Sequence, residues 1–309
     1  MSVAFLFPGQ GSQVPGMLHK LPDHPAITQT FDEVSQCLGQ NVLDLDSPAA
    51  LQSTLSVQLG LFTCAVAMSR VLVEEGVRPV AVAGLSVGAF AAAVESETIC
   101  LSDGVRLVRQ RAGMMMTLYP KGYGLAAIVG LTERQVTALV DEVHGRQIPI
   151  YIANVNAPCQ IVIAGSNEGI NQVLRAAQSS GARKAERLQV SVPSHCPLLE
   201  PVAEALTESL RTTALQPPNL IYVSNVNARP LRSAEGIAAD LASNIAHSVR
   251  WHDATTVLEE LGCRLFLELP PGRVLTELAH EAFPNVRAVA VSETSTKYVL
   301  RIVDQVGVI

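Results

Sequence analysis

A short apolar run leads into a serine flanked by glycines in the segment Pro79-Val80-Ala81-Val82-Ala83-Gly84-Leu85-Ser86-Val87-Gly88. Its first five residues predict a buried parallel strand, because they are uniformly apolar. The alanine-rich run at residues 89–94 predicts a helix. A Gly-x-Ser-x-Gly motif between a strand and a helix is typical of the nucleophile elbow, a turn too tight for side chains at its flanks. The segment therefore predicts a parallel α/β sheet with the Ser86 hydroxyl exposed above it.

Ser86 is the candidate nucleophile of this turn. Backbone N–H groups that follow such a serine, Val87 first, point at any negative charge that forms beside it. The glycine-rich loop at residues 8–13 exposes further amides, and we expect the Gln10 amide to complete an oxyanion hole with Val87. An ordinary glycine-rich turn is the alternative for this loop. A dinucleotide-binding fingerprint is excluded, because the third glycine that it needs is replaced by Val14.

The composition narrows the class of protein. The 309 residues are 48% hydrophobic and 16% charged, which predicts a well-packed α/β protein and excludes a disordered one. The net charge of -6 argues against a nucleic-acid partner. The chain shows no signal peptide and no run of about 18 apolar residues, so we expect no membrane association. The six cysteines form no Cys-x-x-Cys pair, which predicts free thiols, no metal site and a cytoplasmic location.

The pattern changes over residues 124–190. The predicted elements follow the order β-α-β-β-α-β, with a capping box at Thr132–Gln135 and a last strand over Glu186–Val192. This order is that of the ferredoxin-like split unit. We therefore predict an α/β-hydrolase-like parallel-sheet main domain, formed by residues 1–123 and 191–309, with an inserted ferredoxin-like small subdomain at 124–190.

Two further side chains are candidates for the site. Prolines on both sides hold His195 in a non-helical segment where the insert returns to the sheet, and both a general base and a structural histidine are open for it. The helix predicted over Ser102–Leu118 carries Arg109 and Arg111, which cannot share one helix face. At most one of them faces the active centre, where it would bind a substrate carboxylate bidentately. The alternative for either is a surface arginine.

Six ordered motifs along nearly the whole chain together resemble the malonyl-CoA:acyl carrier protein transacylase family. They are Phe7-Pro-Gly-Gln-Gly-Ser-Gln13, Gly84-x-Ser-x-Gly88, Gln110-Arg111-x-x-Met114, Ala153-Asn-x-Asn156 with Ile163-Ala-Gly165, Val192-Pro-Ser-His-Cys196 and Leu269-x-Pro-Gly272. The resemblance implies transfer of a malonyl group from malonyl-CoA to the phosphopantetheine-type thiol of an acyl carrier protein, through a malonyl-serine and without a bound cofactor. It also implies these roles: Ser86 as nucleophile, His195 as its base, Arg111 as the clamp for the malonyl carboxylate, Gln10 and Val87 as oxyanion amides, and Gln58 and Asn156 as substrate-binding residues.

The chain departs from the fatty-acid-synthesis enzymes of this family at two places. Leu85 stands where those enzymes have a histidine, and Asn244 is followed by Ile245 instead of proline. With the segment at residues 15–25, these departures resemble the transacylase (epsilon) subunit of malonate decarboxylase. That resemblance implies the decarboxylase carrier subunit as acceptor and other decarboxylase subunits as partners. The fatty-acid-synthesis transacylase is the alternative. We expect a main-chain carbonyl within Ser248–Arg250 to orient His195.

Two other classes of function remain open at this point. A serine thioesterase or esterase would combine Ser86 with Asp240 and either His247 or His280, in the order Ser, Asp, His. A scaffold subunit that only docks a carrier protein is the non-enzymatic alternative. Because acyl carrier proteins and this chain are both acidic, docking needs a local basic surface. The densest basic cluster comprises Arg183, Lys184 and Arg187.

Overall fold

The computed structural model of the protein describes residues 2–119 and 121–306. Its strands are β1 (Ser2–Phe7), β2 (Pro79–Gly84), β3 (Tyr123–Val129), β4 (Ile150–Ala157), β5 (Gln160–Ser166), β6 (Lys184–Arg187), β7 (Ile221–Val223), β8 (Pro230–Leu231), β9 (Cys263–Glu268) and β10 (Arg287–Ala290). Its α-helices are α1 (Pro25–Leu38), α2 (Thr54–Glu74), α3 (Gly88–Glu95), α4 (Leu101–Leu118), α5 (Glu133–Val143), α6 (Asn167–Ser179), α7 (Glu200–Arg211), α8 (Ala234–Ser243), α9 (Trp251–Glu260), α10 (Val274–Ala282) and α11 (Thr296–Val306).

A six-stranded sheet forms the centre of the main body, in the order β10-β9-β1-β2-β7-β8. All neighbours pair in parallel except β7 and β8 at one edge. The central strand β1 shows why the sheet is covered on both sides. Val3, Phe5 and Phe7 belong to one apolar cluster, whereas Ala4 and Leu6 belong to another on the opposite face. Alternate residues of a strand point to opposite faces, so a strand with no polar alternation needs helices on both.

A second sheet of four antiparallel strands, in the order β4-β5-β3-β6, carries α5 and α6. The predicted α/β architecture, a parallel-sheet body with a small antiparallel insert, is confirmed. The predicted last strand was placed wrongly, because β6 ends at Arg187, with one more bond from the Leu188 amide to the Leu125 carbonyl of β3, and residues 188–190 line a cavity. The division of the chain at residues 124 and 190 stays a prediction. Residues 1, 120 and 307–309 of the predicted main domain lie outside the described residues.

The insert and the main body are tied together next to the end of α8. The Val155 amide of β4 donates to the Val249 carbonyl at 2.9 Å, and the Val249 amide donates to Ala153 at the same distance. This pair of bonds extends the backbone pairing of β4 into the main body. The two sheets therefore hold a fixed position at the point where the chain passes toward α9.

Among the described residues, α2 is the one helix that is both as long and as apolar as a membrane span. By length and composition it could cross a membrane, which the sequence analysis did not predict. However, 83% of its apolar window is buried inside the protein. Its contacts with α1, α3 and α4 make it the central helix of the larger apolar cluster.

Candidate active site

The predicted elbow is present between β2 and α3. A Cβ added at Gly84 would lie 2.2 Å from the carbonyl carbon of Gly88, and one at Gly88 would lie 2.2 Å from the Phe7 carbonyl oxygen. No side chain fits at such distances, so both glycines are required by the close backbone approach. Ser86 between them has φ 57°, in the left-handed region that residues other than glycine rarely adopt. The glycine spacing of the motif therefore reflects real steric contacts.

Ser86 and His195 form a hydrogen-bonded pair. The Ser86 Oγ lies 2.7 Å from His195 Nε2, and His195 Nδ1 lies 2.6 Å from the Asn244 carbonyl oxygen. Because a carbonyl only accepts, Nδ1 carries the ring proton and Nε2 accepts from the serine hydroxyl. Burial, and then the positive charge of Arg111, lower the pKa of His195 to about 3. The imidazole is therefore neutral near pH 7 and can take the serine proton.

The orienting carbonyl belongs to a different residue from the one predicted. A main-chain carbonyl does hold the ring, but it is that of Asn244 and not one within Ser248–Arg250. The Val249 carbonyl already accepts from the Val155 amide of β4. The chain instead turns directly after α8, and the His195 amide donates to Ile245 at 2.7 Å. The end of α8 is thereby brought against the histidine.

Arg111 is buried beside the nucleophile, with 1% of its surface exposed. Its Nη1 donates to Gln58 Oε1 at 2.6 Å, and its Nη2 donates to Ser86 Oγ at 2.9 Å. Within residues 2–119 and 121–306 its Nε has no hydrogen-bond partner and no carboxylate lies within ion-pair distance. Burial lowers the pKa of Arg111 to about 9. A buried cation without a partner anion is costly, so the arrangement favours a ligand that brings the anion.

The two predicted oxyanion amides lie on segments that touch each other. A Cβ added at Gly9 would lie 2.7 Å from the Leu85 carbonyl oxygen, which places the loop of Gln10 against the elbow. In the described part of the chain, neither the Gln10 nor the Val87 amide donates a backbone hydrogen bond. The Ser86 amide, in contrast, donates to Asn225 Oδ1 at 3.0 Å. The geometry thus leaves Gln10 and Val87 available, and their role in an oxyanion hole stays a prediction.

One cavity of about 480 Å³ collects all the predicted site residues. They are Gln10, Gln58, Ser86, Val87, Arg111, Asn156 and His195. The insert supplies part of the wall through Leu125 and Val162, and the buried Oδ1 of Asn156 has no partner among the described residues. Two other cavities are larger, at about 660 and 610 Å³, but no predicted site residue lines either. Convergence of the polar groups, not size, identifies the site.

The hydrolase triad considered above is wrong. Asp240 accepts from the hydroxyls of Tyr222 and Ser224 and contacts neither candidate histidine. His247 Nδ1 lies 3.0 Å from the Ser243 carbonyl, and His280 Nε2 lies 3.1 Å from the Ala288 carbonyl. The Asp240 carboxylate instead accepts from the Asn225 amide at 3.2 Å, and the sequence pattern gave no signal for Asn225. Among the described residues, no group of three or more His, Cys, Asp or Glu side chains could hold a metal ion.

Residues 4–300 match the family model described as an acyl transferase domain. The chain belongs to the acyl transferase family. This acyltransferase is 35% identical over 298 residues to the malonyl CoA-acyl carrier protein transacylase of Escherichia coli (strain K12), covering 94% of this chain and 96% of that protein. The resemblance to the malonyl transacylase family is thereby confirmed.

Solved structures agree with this assignment of the acyltransferase fold. The crystal structure of FabD from Acinetobacter baumannii superposes with a TM-score of 0.94 at 34% identity, covering 99% of both chains. A holo complex of a type II PKS acyl-carrier protein with its malonyl-transacylase gives a TM-score of 0.93 at 34% identity, covering 99% of this chain and 100% of that one. The acyltransferase thus shares its fold over essentially its full length with enzymes of malonyl transfer.

Proposed function

We propose that this enzyme moves a malonyl group from malonyl-CoA to the thiol of an acyl carrier protein through a malonyl ester of Ser86. The observation that carries the proposal is the buried Arg111 guanidinium, which lies 2.9 Å from the nucleophile and has no carboxylate of the described residues beside it. A malonyl thioester places a carboxylate two carbons from the reacting carbonyl. An acetyl thioester has no anion to offer, and a general esterase has no use for a buried cation at this place.

The reaction follows from the positions of the two catalytic side chains. His195 Nε2 takes the hydroxyl proton as Ser86 Oγ attacks the thioester carbonyl, and the oxyanion is held by the Gln10 and Val87 amides. The carbon–sulfur bond then breaks, and the CoA thiolate leaves with the proton from the imidazolium. In the second half, His195 takes the proton of the carrier thiol, which attacks the malonyl ester and regenerates the Ser86 hydroxyl. No bound cofactor or metal enters either half.

The acceptor is an acyl carrier protein, a proposal supported by the complex of the similar malonyl-transacylase with such a carrier. The basic cluster of Arg183, Lys184 and Arg187 lies at and just before β6, and the next residues, Leu188–Val190, line the cavity. Lys184 is paired with Glu186 at 2.7 Å, so the two arginines carry most of the free positive charge. A carrier docked there would have its prosthetic group near the mouth of the cavity.

A second candidate is the transacylase subunit of malonate decarboxylase. Leu85 favours it, because this residue lines the cavity directly before the nucleophile and puts an apolar side chain where fatty-acid-synthesis relatives have a histidine. The names of the relatives do not favour the decarboxylase subunit; they favour a malonyl transacylase of the type found in Escherichia coli and Acinetobacter baumannii. Malonyl transfer rates to two purified carriers separate the candidates: one with phosphopantetheine, one with the CoA-like group of the decarboxylase.

The malonyl-enzyme itself is the decisive species. After mixing with malonyl-CoA, intact-mass spectrometry is expected to show one malonyl group per chain in the wild type and none in Ser86→Ala. His195→Ala keeps the hydroxyl but lacks the base, so it is expected to form the adduct far more slowly. An adduct that persists in Ser86→Ala would contradict the proposal, and so would rapid loss of the wild-type adduct to water with no transfer to any carrier.

A further inference from the structure

Behind the Ser86–His195 pair, hydrogen bonds close into a ring of five residues. On the side of the nucleophile, the Ser86 amide donates to Asn225 Oδ1 (3.0 Å) and the Asn225 amide donates to Asp240 Oδ2 (3.2 Å). On the side of the base, the Asn244 amide donates to the Asp240 carbonyl (2.9 Å) and His195 Nδ1 donates to the Asn244 carbonyl (2.6 Å). The bond from the Ser86 hydroxyl to His195 Nε2 (2.7 Å) closes the ring. Nucleophile and base are thus joined twice, once directly and once through the protein behind them.

The supporting half of the ring is buried. Asn225 is 2% exposed, Asp240 5% and Asn244 0%. Hydrogen bonds are stronger in such surroundings than in water, and a broken bond leaves a buried group unsatisfied. The ring therefore restrains Ser86 and His195 more firmly than the same bonds would at a surface.

Asp240 anchors the ring by holding the turn after β7. Besides the Asn225 amide, its carboxylate accepts from the Val226 amide at 3.2 Å and from the hydroxyls of Tyr222 and Ser224. Because Asp240 lies on α8, these four hydrogen bonds attach the turn to that helix. The same helix ends at Asn244, whose carbonyl orients the histidine. Asp240 therefore sets the distance between Asn225, which holds the Ser86 amide, and Asn244, which holds the His195 ring.

Asn225 connects the ring to a further backbone segment. Its carbonyl accepts from the Arg250 amide at 2.7 Å, so its side-chain oxygen, amide and carbonyl are all engaged, whereas its buried Nδ2 has no partner among the described residues. Such support is needed because Ser86, with φ 57°, and His195, with φ 64°, both hold left-handed backbone conformations that are unfavourable for their residue types. Without tertiary restraint, both residues would relax toward ordinary conformations.

We propose that Asn225 and Asp240 are positioning residues, and that the ring they complete keeps the Ser86 hydroxyl within hydrogen-bond distance of His195 Nε2. This inference deepens the proposed function and rests on its Ser86–His195 chemistry. Loss of a link lets the two reacting groups separate, which slows proton transfer. It leaves Arg111 and Gln58 in place, so substrate binding does not change. The expected signature is a lower rate of acylation at an unchanged affinity for malonyl-CoA.

The test is the burst of CoA released from malonyl-CoA in the absence of an acceptor, followed by stopped flow. The amplitude counts folded, competent molecules, and the rate measures acylation. Asn225→Leu removes the acceptor of the Ser86 amide and is expected to lower the burst rate about tenfold, the effect of losing one buried hydrogen bond worth about 1.4 kcal/mol. Asn225→Asp keeps an oxygen at that place and is expected to recover most of the rate.

Thr255→Val is the matched control. Thr255 is 3% exposed and donates to the Trp251 carbonyl at 3.0 Å, outside the ring. It is expected to lower the melting temperature and leave the burst rate unchanged. The proposal is overturned if Asn225→Leu retains the wild-type rate, or if it loses only amplitude and melting temperature as a structural variant does. Asn225→Ser, whose oxygen falls short of the Ser86 amide, replaces Asn225→Leu if that variant fails to fold.

A second readout separates this inference from the proposed function. If the wild type releases no CoA from malonyl-CoA, the proposed function fails, whereas the ring is still tested by the rate at which a fluorophosphonate labels Ser86. That reagent reports an activated serine whatever its natural acyl donor. Asn225→Leu and Asp240→Leu are expected to be labelled about tenfold more slowly than wild type, because the first removes the acceptor of the Ser86 amide and the second removes that of the Asn225 amide. Labelling at the wild-type rate in both variants overturns the proposal.

Discussion

Arg111→Ala tests the link between the buried guanidinium and the choice of malonyl over acetyl. The variant removes the cation from a site in which the Nη2 lies 2.9 Å from Ser86 Oγ. A malonyl carboxylate bound there would then be buried without a partner. Breaking a buried pair of charges costs on the order of 3 kcal/mol, which corresponds to a loss of about 10²-fold in kcat/KM for malonyl-CoA.

The same variant affects acetyl-CoA much less. Of the two hydrogen bonds that it removes, only the one to Ser86 involves a reacting atom, and the loss of one net hydrogen bond costs about 1 kcal/mol, or roughly fivefold, with either substrate. The preference for malonyl is therefore expected to fall by a factor of about 20, the ratio of about 10² to about 5. Arg111→Lys keeps the charge but has no planar fork to span both partners, so its malonyl transfer is expected to lie between wild type and Arg111→Ala.

The assay measures kcat/KM for both thioesters in wild type and variants, with CoA release as the signal. Arg109→Ala is the matched control, because Arg109 lies one half-turn away on α4 and is exposed. It is expected to change neither rate. A parallel fall of both thioesters in Arg111→Ala would refute the reasoning, since Arg111 would then support the site without contacting the malonyl carboxylate.

Four further predictions concern the base, the residue that orients it and the partner. The burst rate is expected to stay flat from about pH 8 to about pH 5, whereas a histidine with its ordinary pKa would lose half of it near 6.5; loss near 6.5 would contradict the depressed pKa of His195. His195 is protonated near pH 6.5 in the unfolded chain but only at about pH 3 in the folded chain, so the unfolded chain binds the proton first as the pH falls. Between these two pH values, the free energy of unfolding, measured by urea denaturation, is therefore expected to fall more in wild type than in His195→Gln. Asn244→Ala keeps the orienting carbonyl and is expected to retain the burst rate within about threefold, because the ring uses only main-chain atoms there; a loss as large as that of His195→Ala would refute this. Charge reversal at Arg183 and Arg187 is expected to raise KM for the carrier and leave acylation by malonyl-CoA unchanged, and carrier kinetics that do not respond would place docking elsewhere.

Local sterics explain which parts of the site could be predicted from the sequence. The elbow was predictable because both of its glycines are required by close contacts: Gly84 approaches Gly88 within the motif, and Gly88 approaches the neighbouring strand β1. The helix of Arg111 was predictable from its pattern, although its partner was not. Gln58 lies 53 positions earlier on α2, and only the packing of α2 against α4 brings the two together.

The parts that escaped prediction depend on how distant segments fit. The carbonyl that orients His195 was expected a few residues too late, because the sequence does not reveal that Val249 is engaged by β4. Asp240 was considered as a triad acid because it follows Ser86 and precedes His247 and His280 in the chain order that serine hydrolases use. Its actual partners, Asn225 and the hydroxyls around it, are reached only across the buried face between β7 and α8. The early end of β6 has a similar origin, since tertiary pairing with β3 decides where that strand stops.

The buried guanidinium of Arg111 also makes the stability of this enzyme depend on whether a malonyl group is bound. Folding takes this cation out of water, no residue in the described part of the chain supplies a counter-ion, and a ligand that does so stabilises the folded chain. For a reversible ligand the gain follows its concentration, about 2.7 kcal/mol at a hundredfold excess over Kd. A malonyl group esterified to Ser86 cannot dissociate, so dilution does not remove the gain. The loaded enzyme is therefore expected to melt at a higher temperature and to resist proteases better than the empty one, and delivery of the malonyl group returns it to the more fragile state.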